Sequence, residues 1–466
     1  MNVSPPNELI PAALRLDPAL FERAAATFGT PLYLYDRQVL RSSMRALVEA
    51  LPAGASVYYS AKANPAVAII RELAGLCAGV EISSRGELLA ALEAGVAPER
   101  LIYVGPAKGR AELAFALETG VGIIVAESAR EVALIFTLSR ELGLSVEVLL
   151  RLNPGAAGAR GALRMAGATQ FGMDPATAEA LLREYCAGDN GRAVGGVSGR
   201  GSGRGRGRGG ARIVGIHGYL GTRLLDAVEL DANLGLVLDM AARLQKRCGV
   251  RFSCVDMGGG FGVPLYGGER ELDICGLGAL LAERLRRYLE AHPWTEILAF
   301  EAGRYPVAPS GVLVTRVVDV RRTGGKLFAL VDGGLHVIGG RDGYLGARCG
   351  PFRVVREGGF LSAVNGGSAA GAESGAENGA GEGGEPLTVC GPLCTPYDRL
   401  AAGVVSPCPQ EGDLLVFYQA GAYGASASAG MFLSRGFPAE AFADGGELKL
   451  ICRGWGPEEA LCAQKI

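Results

Sequence analysis

Histidine is scarce in this 466-residue chain, with three copies, and tryptophan scarcer still, with two. Three histidines scattered so widely argue against a metal centre built on imidazole. No charge of one sign dominates. Lys and Arg number 46 against 48 Asp and Glu, so no global field recruits nucleic acid or a membrane surface. No uninterrupted apolar run is long enough to span a bilayer. The opening segment "MNVSPPNELIPAALRLDPALFERAAATFG" has neither a basic start nor a continuous apolar stretch, so it does not read as a secretion signal. The eleven cysteines are odd in number and contain no CxxC pair, which reads as free thiols in a reducing, cytoplasmic setting.

What is present is enough for a large core, because apolar residues make up 49% of the chain. The length makes two domains the default. Two low-complexity stretches, "AGDNGRAVGGVSGRGSGRGRGRGGAR" (187–212) and "AVNGGSAAGAESGAENGAGEGGE" (363–385), inflate the count of 72 glycines. Neither offers the apolar surface that offsets the entropy of ordering, so both are expected to be disordered inserts. The first is similar to arginine-glycine tracts that bind RNA. It lacks interleaved aromatics and sits inside a folded region, so a solvated insertion is the better reading.

Between residues 37 and 304, short β-rich runs alternate with amphipathic helical stretches. The runs are "SVYYSAK", "GVEIS", "RLIYVG", "GIIVAE", "VEVLLRLNP", "RIVGIHGYLGT", "FSCVDMGGGFG" and "EILAFEAG". Eight strands, each but the last followed by a helix, predict an α/β fold of the (β/α)8 barrel type. From residue 305 to 466 the runs become β-rich and turn-punctuated, which predicts a C-terminal β domain. Residues 1–36, with the strand-like "PLYLYD", are expected to pack on it.

A barrel gives meaning to residues at the C-terminal ends of its strands, where reactive groups sit. Lys62 in "VYYSAKANP", Glu81, Arg151, Thr222, Gly258 to Gly260 and Glu301 all fall at or just past such ends. "DMGGGFG" offers three consecutive glycines whose amides suit an anion, although a glycine run is more often a plain turn. It does not match the dinucleotide fingerprint. "FEAGRYPVA" places Arg304 and Tyr305 just past Glu301, which reads either as a surface ion pair or as a carboxylate beside a ring nitrogen. In "GIHGYLGTR" a lone histidine is more often structural than a ligand. "CGPLCTPYDRL" and "GAYGASAS" are individually modest, with Asp398 readable as a cap and Tyr423 as packing.

The ordered series "YYSAKANP", "VEISSRGEL", "GIHGYLGT", "GGGFG", "EAGRY", "GPLCTPYD" and "GAYG" resembles the fold type III decarboxylases that use pyridoxal 5′-phosphate, over nearly the whole chain outside the inserts. That family includes diaminopimelate, ornithine and arginine decarboxylases. "QFGMD", "GFGVP" and "GPLCTP" look most like its butirosin-pathway branch, which acts on glutamate attached to a carrier protein.

The resemblance implies an alanine-racemase-type barrel and a homodimer with shared active sites. It implies that Lys62 forms the Schiff base with the cofactor, its amine made nucleophilic by burial. Gly258, Gly259 and Gly260 would bind the phosphate, helped by Thr222, Arg304 and Tyr423. Glu301 would face the pyridine nitrogen and keep it protonated, where the similar alanine racemases place an arginine. Cys394 would reach the site from the second subunit as a proton donor. Arg151, Tyr305, Thr395 and Asp398 would lie on the substrate side.

Three departures from the family pattern bear on the substrate. Tyr219 stands where a histidine usually stacks on the cofactor ring. Thr395 follows the motif cysteine where the diaminopimelate and ornithine enzymes carry an acid for the substrate's distal ammonium. Gln170 stands where diaminopimelate enzymes commonly show lysine. These favour an amino acid without a distal cation over diaminopimelate. A catalytically silent relative is disfavoured because Lys62, Glu301 and Cys394 are all present.

Overall fold

The structure, a computed structural model, describes residues 16–155, 163–164, 167–186, 210–266, 268–339, 351–363 and 385–462. Most of both expected inserts, 187–209 and 364–384, lies outside the described residues. At their margins Ala211, Arg212, Ala363 and Glu385 are strand residues rather than loop. No helix among the described residues is long and apolar enough to cross a membrane.

The chain divides into two compact units. One is a closed barrel of eight strands, all parallel: β1 (Ala55–Ser60), β2 (Gly79–Ile82), β3 (Leu101–Tyr103), β4 (Ile123–Ala126), β5 (Val146–Leu152), β6 (Ala211–Gly218), β7 (Cys254–Asp256) and β8 (Ile297–Ala302). Neighbours in sequence pair in space, and β8 closes the ring on β1 through the register Glu301↔Tyr58. These are the eight runs that the alternation predicts. Their near-continuous apolar character follows from burial on both faces. Tyr58, Ile102, Val104, Ile123, Val125, Leu149, Val214, Cys254 and Ala299 form one interior cluster.

The intervening helices start where their sequences say they should. Ser84 and Ser128 cap Arg85–Glu93 and Ala129–Leu142 by accepting the amides of Glu87 and Glu131, three residues on. Asp226 does the same for Ala227–Cys248. The Glu87 carboxylate reaches back to the Ser83 amide at 2.6 Å, a reciprocal arrangement that pins the chain as it leaves β2.

The second unit is a ten-stranded mixed sheet. Its long strand Gly311–Thr323 pairs antiparallel with Leu32–Asp36 and Leu414–Phe417 over its first half. Beyond an irregularity between Val317 and Asp319, it pairs with Lys326–Val331. Leu32–Asp36 also lies parallel to Ala439–Asp444, so the early "PLYLYD" run sits at the middle of this sheet. The strands Phe352–Arg356, Gly359–Ala363, Arg399–Ser406, Ala439–Asp444 and Glu447–Cys452 were not legible as strands in the sequence.

Among the described residues, contacts group 16–43, 263–266 and 268–270 with the sheet. The helix Arg37–Ala50 starts directly from the buried strand Leu32–Asp36. Its first turn is held there by Val39, which packs in the sheet's core, and by the Arg37–Asp444 ion pair at 2.7 Å.

The helix Pro18–Phe28 covers this sheet with Leu20, Phe21, Ala24 and Ala25, one stripe at helical spacing. Phe21 is fully buried and tilts against Phe360, with ring centroids 6.3 Å apart. Phe21→Ala is expected to destabilise the protein by about 3–5 kcal/mol, lost transfer energy plus an unfilled cavity. Urea denaturation followed by circular dichroism measures it, and a loss below about 1 kcal/mol would mean that the helix does not seal the sheet.

Candidate active site

Lys62 lies in the single 3-10 turn Ala61–Ala63 that leaves β1. Its Nζ is 3.0 Å from both oxygens of Glu81, at the end of β2, and 3.9 Å from Oε2 of Glu301, at the end of β8. It also sits 5.6 Å from the centroid of the Tyr219 ring. The sequence suggested a lone amine desolvated by burial. The structure shows instead a lysine side chain one-third exposed and flanked by two carboxylates that are themselves almost completely buried. Glu81 is held in turn by the Ser83 hydroxyl at 3.0 Å.

Glu301 has a second partner. His217 Nε2, at the end of β6, is 3.1 Å from its Oε1. Burial pushes the Glu301 carboxyl up, but the opposing charges of Lys62, His217 and Arg151, with the His217 hydrogen bond, outweigh it and hold the group down at about 2. Glu301 is therefore a buried, persistent anion. Asp256, at the end of β7, is the opposite case. Burial first, and then the Glu301 charge, push it up to about 7. One donor atom from each of His217, Asp256 and Glu301 falls within a 4.8 Å cluster.

The glycine run is built into the same strand ends. Gly258 donates its amide to Asp256 Oδ1 at 2.9 Å, and its carbonyl accepts the Glu301 amide at 2.8 Å. A Cβ on Gly259 would sit 2.1 Å from the Glu301 carbonyl oxygen, and Gly258 and Gly260 have φ of +68° and +112°. No other residue type fits this turn. The segment 221–225 is zipped to it, with Leu224 N–H on the Gly260 carbonyl and Gly262 N–H on the Leu224 carbonyl, both 2.9 Å. Thr222 lies on that segment, and Tyr219 lies beside Gly258. Lys62, Tyr219, Thr222, Gly258, Gly259, Gly260 and Glu301 are thus brought to one end of one barrel.

Arg151 ends β5 but its guanidinium is used within the protein. It pairs with Glu127 at 2.6 Å, lies 4.7 Å from the Phe171 ring centroid and is 5% exposed. Glu127 also accepts the Gly172 amide, and its own amide donates to Glu131, which pairs with the buried Lys108 at 3.0 Å. Arg151 therefore acts on the site through its charge at Glu301. Gln170 is exposed.

The remaining expected residues belong to the sheet unit. The Arg304 guanidinium lies 4.7 Å from the Tyr423 ring centroid, with Tyr305 next in the same helical turn, Arg304–Val307. Cys394 is exposed in the connection between Glu385–Cys390 and Arg399–Ser406. The Thr395 hydroxyl oxygen accepts the Tyr397 amide at 3.3 Å. Asp398, expected on the substrate side, is 2% exposed. One carboxylate oxygen accepts the Leu335 amide and the other the Leu393 amide, each at 2.7 Å, so in this chain it organises the loop.

Sequence reasoning assigned no role to Glu81, Glu127 or Asp256, and took His217 for a structural histidine. A signal was available. Four barrel runs, "GVEI", "IIVAE", "CVD" and "AFEA", put an acid at or next to the C-terminal end of an apolar strand, where a charge is costly unless used.

Because Glu301 ionises below its ordinary value of 4.5, it contributes stability that is complete above that pH and is lost as pH falls toward 2. The stability difference between the protein and its Glu301→Gln variant is expected to shrink as the pH is lowered from about 4.5 toward 2. Urea denaturation at a series of pH values checks this, and a difference that widens on acidification would contradict it.

An amine at a strand end, a carboxylate held anionic and a side-chain-free glycine turn fit the aldehyde, ring nitrogen and phosphate of pyridoxal 5′-phosphate. The comparisons agree. The sequence model for the pyridoxal-dependent decarboxylase pyridoxal binding domain matches residues 37–198 and 208–308. The L-glutamyl-[BtrI acyl-carrier protein] decarboxylase of Niallia circulans is 30% identical over 441 residues, 94% of this chain and 95% of that protein. The diaminopimelate decarboxylase of Deinococcus radiodurans is 31% identical over 443 residues, 95% of this chain and 97% of that protein. Among solved structures, diaminopimelate decarboxylase from M. jannaschii in co-complex with L-lysine has the same fold, with a TM-score of 0.77 at 21% identity over 96% of this chain and 94% of that one. The chain therefore belongs to the fold type III pyridoxal-phosphate-dependent decarboxylases, and is an amino-acid carboxy-lyase with pyridoxal 5′-phosphate as its cofactor.

Proposed function

We propose that this enzyme removes the α-carboxylate of an amino acid that lacks a distal cation, and that a glutamyl group tethered to a carrier protein is its substrate. The observation that carries this reading is the occupation of Asp398. In the stretch 391–398 the residue after Cys394 is Thr395, and the one carboxylate present already accepts two backbone amides. The loop therefore has no acid for a distal ammonium, whose charge-assisted hydrogen bond is worth about 1.5–3 kcal/mol. A glutamyl group joined to a carrier as an acyl group has no such ammonium. The relationship to the Niallia circulans enzyme, whose printed activity is of this kind, supports the same substrate.

Bound pyridoxal phosphate supplies an aldehyde and a ring that accepts the electron pair left by carbon dioxide. The chain's own residues do the rest. Lys62 presents the amine, with Glu81 and Glu301 as alternative partners for its charge. Glu301, a fixed anion, would stand at the ring nitrogen and favour a proton there, while His217 holds the carboxylate through its 3.1 Å contact. Tyr219 provides a stacking surface. The turn of Gly258 to Gly260 and Thr222 would hold the phosphate, and the family resemblance assigns Arg304 and Tyr423 to the same group. Tyr305 borders the substrate, and the exposed Cys394 thiol carries the proton returned to the α-carbon. In this reading Cys394 serves the site of the second subunit in a homodimer, and the ten described cysteines, none of them in a disulfide, fit a reducing cytoplasm.

Two measurements test these assignments. Carbon dioxide release should be at least about tenfold more efficient in kcat/KM from a glutamyl-carrier-protein thioester than from meso-diaminopimelate, the equivalent of about 1.4 kcal/mol. Brisk formation of lysine would overturn the substrate and favour diaminopimelate decarboxylase, the activity printed for the Deinococcus radiodurans relative. Mixing the inactive Lys62→Ala and Cys394→Ser proteins after subunit exchange should restore about one quarter of the wild-type rate, because half the dimers gain one intact site. Failure to recover any rate would place both residues in the same subunit's site.

A further inference from the structure

Among the described residues, Asp256 is a fully buried acid at the barrel's active end that makes no ion pair within 4 Å. Three acids lie at the C-terminal ends of barrel strands here: Glu81 on β2, Asp256 on β7 and Glu301 on β8, with β7 and β8 paired and β1 between β8 and β2. Glu81 has the Lys62 ammonium at 3.0 Å, and Glu301 has His217 at 3.1 Å and Lys62 at 3.9 Å. Asp256 is fully buried. Its Oδ1 accepts one backbone amide, from Gly258, and its Oδ2 has no hydrogen-bond partner, as is also true of His217 Nδ1. Facing it are Glu301 from β8, His217 from β6 and, further off, Glu81 from β2, with Cys254 two residues back on its own strand.

Two carboxylates in one dry cluster cannot both ionise cheaply, and the proton goes to the one with less compensation. Glu301 has the cations, so Asp256 takes the proton. We propose that Asp256 is a positioning residue, held as the uncharged acid, that locks the glycine turn to β7 through Gly258 and leaves Glu301 as the charged member of the Asp256–Glu301 pair. The link is mechanical as well as electrostatic. Asp256 Oδ1 fixes the Gly258 amide, and the Gly258 carbonyl fixes the Glu301 amide, so one side chain sets both the phosphate turn and the carboxylate. The elevated proton affinity of the group agrees with this assignment. An ionised Asp256 would compete for His217 and drive a proton onto Glu301. This inference rests on the roles proposed above for Glu301 and the glycine turn.

The experiment compares Asp256→Asn, which keeps the Gly258 contact and a neutral polar group, with Asp256→Ala, which keeps neither. Infrared difference spectroscopy of the cofactor-free protein at pH 6 should show a protonated carboxyl stretch that disappears in Asp256→Asn. In the reconstituted enzyme, the pyridoxal phosphate dissociation constant of Asp256→Asn should stay within about twofold of wild type, while that of Asp256→Ala should rise at least about tenfold. The pH midpoint of the holoenzyme's visible absorbance should move in Asp256→Ala and hold in Asp256→Asn. A missing carboxyl band, or an Asp256→Asn protein as impaired as Asp256→Ala, would overturn the neutral acid. An Asp256→Ala protein that binds cofactor normally would overturn the positioning role. Should Asp256→Ala fail to fold, the band and the Asp256→Asn titration still decide. If instead the Glu301 reading is at fault, Glu301→Gln leaves the absorbance midpoint in place while the Asp256 band and contrast persist.

Discussion

A single buried anion organises the active end of this protein. Glu301 lies at the last barrel strand, almost wholly out of water, and keeps its charge because Lys62, just past β1, and His217, at the end of β6, stand 3.9 and 3.1 Å away. A buried pair of this kind is a weak source of net stability. Removing one partner is nevertheless costly, about 3–5 kcal/mol where both are buried, because the other charge is stranded. The arrangement therefore constrains more than it stabilises. It requires β1, β6 and β8 to end at the same level, and it requires the glycine turn after β7 to pass beneath them without side chains.

That requirement explains why the barrel is the right scaffold. Its eight parallel strands present their C-terminal ends together, and each loop leaves from a fixed point on a rigid ring. Ionisable groups that are distant in sequence, at 62, 81, 217, 256 and 301, become one electrostatic unit. The chain then supplies a second unit whose sheet is threaded by its own N-terminal strand Leu32–Asp36, paired on one side with Gly311–Thr323 and on the other with Ala439–Asp444. Ends of the described chain more than 400 residues apart are thereby tied to one sheet.

The loop that carries Cys394 follows a similar economy. Asp398 is the acid that a sequence reading assigns to a substrate, yet Gly334 and Gly391 leave room for its carboxylate and nothing more. A Cβ on either would fall within 2.4 Å of an Asp398 oxygen. The side chain is used to hold the stretch around 334–335 to that around 391–393. What looks like a recognition residue in the motif is the fastening of the loop that presents the thiol.

The sequence alone determined the architecture and the chemistry. Alternating apolar runs and capped helices specify a barrel because buried parallel strands need continuous hydrophobicity and their crossover helices need a start signal. The glycine run, the strand-end lysine and the strand-end glutamate are local features that survive translation into one dimension. Tertiary structure decided the partners. Nothing in "SAKANP" says that Lys62 meets Glu81 as well as Glu301, or in "GIHG" that His217 braces a carboxylate 84 residues away. Nothing in "YDRL" says that Asp398 is consumed by backbone amides. Ionisation and pairing depend on distance and on the exclusion of water. Both are set only when the strands close, which is why the roles of the acids could be read only from the folded chain.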